Sequence, residues 1–180
     1  MPVIASLQKS NLRSWFWLLL LLNCIFLLVS KYYLAPLSGG EIVQFETAKR
    51  VSKAQAIIAD WSATGKNEKA MESIWIDYLF ILFYVAGLMV AVLFISEATH
   101  HPLLFRSGRF FRWLIPAAGI CDIVENISMT RSLQSHPTPL TVMLAYDMAV
   151  AKFSILIVTF LFLILCLLFW ILQKLFPKVA

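Results

Sequence analysis

The chain has 180 residues, 61% hydrophobic and 14% charged, with 15 Lys and Arg against 10 Asp and Glu and a formal net charge of +5. A soluble domain carries about 25% charged residues, so this composition excludes an ordinary water-soluble globule and points to a membrane protein. The basic excess does not imply a nucleic-acid partner. Its residues flank apolar runs, where the positive-inside rule accounts for them.

The first apolar run, WFWLLLLLNCIFLLVS at 15–30, continues into Lys31-Tyr32-Tyr33-Leu34 and predicts a span over about 15–34. Lys31 can snorkel, and the two tyrosines suit an interface. Lys9 and Arg13 precede the run, as in a leader peptide. The missing small-residue cleavage site and the aromatic content fit an anchor better.

Residues 41–61 contain no Gly or Pro and repeat Phe45, Ala48, Val51, Ala54, Ile58 and Trp61 at three- and four-residue steps. That pattern predicts one amphipathic helix, on the outer surface or capping the bundle. Ser38-Gly39-Gly40 breaks the chain before it, and Thr64-Gly65-Lys66-Asn67 breaks it after.

The second span is predicted at 74–96, with Asp77 its charged residue and Tyr84 on the same face about 10 Å deeper. Gly87 and Ala91 form a small-x-x-x-small step suited to close helix packing. His100-His101 before Pro102 reads as an interfacial turn rather than a metal site.

The third span, about 112–130, is less apolar because it carries Asp122, Glu125 and Asn126. These fall at i, i+3 and i+4, one stripe of a helix whose other faces can meet lipid. Pro116 is expected near the start of this helix, where a first turn tolerates proline or a mild kink follows. Asn126-Ile127-Ser128 fits the glycosylation pattern but would lie inside the membrane. The fourth span, about 146–172, begins with Asp147 at the boundary and Lys152 about 7 Å deeper. Cys24, Cys121 and Cys166 have no paired or metal-type spacing and read as small buried hydrophobes.

The fold class is therefore all-α: one membrane domain over 1–180, with four transmembrane helices and one external amphipathic helix. Lys9 and Arg13, then Arg106, Arg109 and Arg112, then Lys174 and Lys178 outweigh Arg131 on the opposite side. This places both termini inside. Lys49, Arg50, Lys53, Lys66 and Lys69 in the external loop run against that count.

With this topology Asp77, Asp122, Glu125, Asp147 and Lys152 share the outer half of the bilayer, with Arg131 and Asp147 at the rim. Removing charge from water is costly, so such residues pair, face the bundle interior or line a functional cavity. Lys152 with Asp122 or Glu125 is the most economical pair, and Asn126 can add hydrogen bonds. The cluster can be an ion pair that only fixes helix packing, or a site for a lipid or quinone-like ligand. A membrane-embedded enzyme acting on an amphiphilic or isoprenoid substrate by carboxyl acid/base chemistry, and a proton or cation path, are the alternatives. No cofactor motif is evident, and the absence of an H-E-x-x-H spacing argues against a metal.

The stretches Ala56-Ile57-Ile58-x-x-Trp61, Ile76-Asp77-Tyr78-x-Phe80-x-x-x-Tyr84, Cys121-Asp122-x-x-Glu125-Asn126 and Ala151-Lys152 resemble, in order and spacing, the motifs of an uncharacterised family of bacterial multi-pass inner-membrane proteins. The resemblance implies a bacterial cytoplasmic-membrane location. It also makes Asp77, Tyr84, Asp122, Glu125, Asn126 and Lys152 the residues to watch. It brings no activity with it.

Overall fold

In the computed structural model, which describes residues 2–176 and the side chains of residues 11–176, the described residues form six helices and no strand. These are α1 (Pro2–Tyr33), α2 (Gly39–Glu46), α3 (Val51–Ala63), α4 (Asn67–Ala98), α5 (Pro102–Gln134) and α6 (Pro139–Leu175). Within them Asn11–Tyr33, Asn67–Ala98 and Pro139–Leu175 are long and apolar enough to cross a membrane. α5 matches them in length at 33 residues but is more polar. Lys178 and the side chain of Lys9, two of the flanking basic residues, lie outside what is described.

Local chemistry sets the helix ends. Ser38 opens α2 with a capping box: its hydroxyl accepts from the Glu41 amide while the Glu41 carboxylate accepts from the Ser38 amide. Thr138 and Thr141 do the same for α6, with Pro139 in its first turn. Gly65 follows α3 at φ +70, a left-handed conformation that glycine adopts without a Cβ penalty.

Three expectations need correction. The single external helix over 41–61 is two, broken at residues 47–50, where Lys49 takes φ 60. In one continuous helix Phe45 and Trp61 would stand about 24 Å apart along the axis. The break folds α3 back so that their ring centroids lie 5.1 Å apart, both buried. Burying two aromatic side chains is worth several times the strain of one left-handed residue. Pro116 is not near a helix start, because α5 begins at Pro102; it sits mid-helix, where it leaves the Arg112 carbonyl without its helical donor. Of the three cysteines, Cys166 is buried and Cys121 half-buried, but Cys24 is exposed on α1.

The long helices pack as consecutive antiparallel neighbours. On the α4–α5 seam a Cβ at Gly108 would meet Ser96, and one at Gly119 would meet Val85 and Ile81. On the α5–α6 seam the Phe111 and Phe162 rings stack at 4.4 Å, and Ser132 bonds Thr141. α1 lies along α4. Phe16 stacks on Phe94 and Phe26 on Phe80, and Asn23 Nδ2 donates to the carbonyls of Leu19 at 2.8 Å and Phe83 at 3.1 Å. Gly87 permits that approach, since a Cβ there would stand 2.9 Å from Asn23 Nδ2. The small-x-x-x-small step thus serves helix packing.

Two apolar cores result. At one end α2 and α3 close over the bundle, joining Phe45, Trp61, Ile74, Met129 and Val142. At the other, Val92, Ile115, Phe162 and Cys166 come together. Along α4, α5 and α6 the polar residues fall between these cores.

Candidate functional site

Asp122 is the junction of the polar layer. It projects from α5 between α4 and α6, 3% exposed, and both carboxylate oxygens are used. Tyr84 Oη of α4 donates to Oδ2 at 2.9 Å, and Lys152 Nζ of α6 donates to Oδ1 at 2.8 Å. One turn further along α5, Glu125 presents its carboxylate to the same ammonium. Nζ lies 3.0 Å from Oε1, to which it donates, and 2.9 Å from Oε2. Asn126 Nδ2 donates to Asp77 Oδ2 on α4 at 2.7 Å. The i, i+3, i+4 stripe thus faces inward and ties three helices together, as helical periodicity requires of residues on one face. The cluster lies at matched depth on three helices, and Lys152 reaches both acids of α5.

The remaining anion was not foreseen. Glu46, the last residue of α2, places Oε2 3.7 Å from Lys152 Nζ. Its residue is 8% exposed, and that oxygen accepts no hydrogen bond among the described residues. Burial pushes the Glu46 carboxyl above its ordinary value, more than the Lys152 ammonium pulls it down. In sequence Glu46 is one acid among five in a polar loop and off the apolar stripe, so it reads as solvated. Only the break after α2 turns it inward. Arg131 and Asp147, expected at the rim, are exposed and do not join the cluster.

The polar layer opens into a cleft of about 720 Å³ between α1, α4 and α6. Glu46, Asp77, Tyr84, Asp122, Asn126 and Lys152 line one end. From there the walls are almost wholly apolar, with Leu20, Leu88, Ile95, Phe160 and Leu163 among them. Between Tyr84 and Ile95 α4 rises about 16 Å, close to half of a ~30 Å hydrocarbon core. α1 forms the outer wall from Phe16 to Ser30 and touches the bundle mainly through α4.

Beside this layer Lys66 Nζ donates to Glu41 Oε1 at 2.7 Å, tying the start of α2 to the start of α4. That bond, helped by the Ser38 amide and hydroxyl, holds the Glu41 carboxyl down at about 2. Among the described residues no group of three or more His, Cys, Asp or Glu is arranged to hold a metal ion. The His100-His101 turn joins α4 to α5, with the His101 ring edge-on to Phe169 at 5.1 Å. Comparison with protein-family models, curated proteins and solved structures finds no match to this chain.

Proposed function

We propose that this chain is a four-span bacterial inner-membrane protein that binds a lipid-like amphiphile, its headgroup at the Lys152 cluster and its tail in the apolar cleft. The observation that carries the reading is the cleft itself: buried charge at one end, an apolar channel of leaflet depth at the other, and one wall formed by a peripheral helix. A cluster that only fixed packing would need no such channel beside it. Sites for small ligands share this character, mostly apolar with a few placed polar groups.

Several features support α5 as the fourth span. It runs antiparallel between two membrane-length helices through short connections, buries its polar stripe, and turns Trp113, Ile120, Ile123 and Ile127 outward. The flanking basic residues support cytoplasmic termini, which puts the cluster in the outer half of the bilayer.

Native mass spectrometry of the full chain extracted in mild detergent tests the binding reading. The wild type should carry a lipid adduct. Leu20→Trp, which fills the channel from an α1 position 43% exposed and away from the cluster, should lose that adduct while melting within a few degrees of wild type. A wild-type spectrum free of adduct, or adducts unchanged by Leu20→Trp, would overturn it.

A further inference from the structure

The charge at the head of the cleft specifies the ligand more closely, and this inference rests on the binding reading above. Three carboxyl groups line it there, from Glu46, Asp77 and Asp122, with Glu125 behind them on Lys152, against one ammonium. Lys152 is the one cationic side chain among the residues lining the cleft. Two of its three donors are engaged, at 2.8 Å by Asp122 and 3.0 Å by Glu125, and Glu46 Oε2 lies 3.7 Å away. Each Asp122 oxygen already accepts one bond, from Lys152 and from Tyr84. The acceptors left facing the cleft are on the acids at its mouth. Glu46 Oε2 is buried, with the Lys152 ammonium 3.7 Å away, and accepts no hydrogen bond among the described residues. Asp77 receives one from Asn126, while a carboxylate has about four acceptor sites.

We infer that the cleft selects an amphiphile with an alkylammonium headgroup, the ammonium seated between Glu46 and Asp77 and the chain running down toward Ile95. Such a headgroup supplies three N–H donors to acceptors that lack them. It also brings positive charge to a buried site with an excess of carboxylates, where attraction is far less screened than in water. A phosphate or other anion would meet those carboxylates with no free cation to pair with, so the cleft discriminates by repulsion as well as by attraction. A hydroxyl headgroup fits sterically but leaves the charge unanswered.

Purified full-length protein in a neutral detergent, titrated at neutral pH with dodecylamine, dodecanol, dodecyl phosphate and ethylamine, tests this by thermal shift and by adducts in native mass spectrometry. Dodecylamine should bind at least tenfold more tightly than dodecanol, with dodecyl phosphate weakest. Glu46→Gln with Asp77→Asn should reduce the amine to the level of the alcohol, and Leu20→Trp should abolish binding of all long-chain probes. Equal or tighter binding of dodecanol or dodecyl phosphate by the wild type would overturn the ammonium assignment and leave the lipid reading standing. Amine preference that survives the double substitution would overturn the seat between Glu46 and Asp77. Ethylamine binding as tightly as dodecylamine, or no binding of any probe, would instead overturn the lipid reading and this inference with it.

Discussion

Replacing Lys152 by Met removes the charge at the centre of the polar layer while keeping most of the side-chain volume. The ammonium it deletes serves Asp122 at 2.8 Å and Glu125 at 3.0 Å, with Glu46 at 3.7 Å. Asp122 keeps Tyr84 as a donor. Glu125, fully buried, and the Glu46 oxygen keep no donor among the bonds described, so Lys152→Met strands two carboxyl groups. Breaking a buried ion pair from one side costs about 3–5 kcal/mol. At about 2–4 °C per kcal/mol for a chain of this size, the expected fall in melting temperature is roughly 6–20 °C.

Glu125→Gln should cost less, about 1.5–3 kcal/mol, because Lys152 retains Asp122 and the amide oxygen can still accept. The double variant should then melt well above the sum of the two losses, since its remaining buried acids are Asp122, held by Tyr84, and Glu46. Tryptophan fluorescence in detergent, read at one heating rate because unfolding of such proteins is commonly irreversible, gives the three melting points. A Lys152→Met protein melting within about 2 °C of wild type, or strict additivity in the double variant, would refute the pairing and the cost assigned to it.

Glu46 gives a pH signature to the docking of α2. Its carboxyl is raised above 4.5 by burial and by the neighbouring Asp122, with Lys152 opposing, so the folded protein keeps this proton where the unfolded chain has lost it. Docking is therefore favoured at low pH and weakens as the pH rises from about 4.5 through the raised value. Hydrogen exchange across α2 should show this, and Glu46→Gln should flatten the profile; an unchanged profile would exclude Glu46 as its source. Glu41 has the opposite sign. Held at about 2 by Lys66 and Ser38, it supports the external cap above its ordinary value, support that is lost as the pH falls toward 2. The membrane topology is open to cysteine labelling, in a background with Cys24, Cys121 and Cys166 replaced. A cysteine near Gly65 should react with an impermeant maleimide in intact cells, and one near Arg109 only after permeabilisation; the reverse pattern would invert the chain in the bilayer.

Periodicity and hydropathy alone determined the all-helical class, the three apolar membrane-length helices, the break at Gly65, and the inward stripe of Asp122, Glu125 and Asn126; Gly39 and Gly40, expected to break the chain, instead open α2. These are local properties: a helix repeats every 3.6 residues, and a charge inside an apolar segment must turn away from lipid wherever the rest of the chain lies. Lys152 as the partner of that stripe followed from matched depth, which is also arithmetic along a helix. The tertiary structure decided what no local rule encodes. The segment over 41–61 carries an unbroken amphipathic pattern, yet it breaks at residues 47–50 because burying Phe45 against Trp61 outweighs the strain of one left-handed lysine. The same fold-back converts Glu46 from a loop charge into a buried neighbour of Lys152. Likewise the cleft exists because α1 leans on α4 through Asn23 and Gly87 and leaves space toward α6. Such a gap between distant segments has no period and no composition, only a geometry that packing sets.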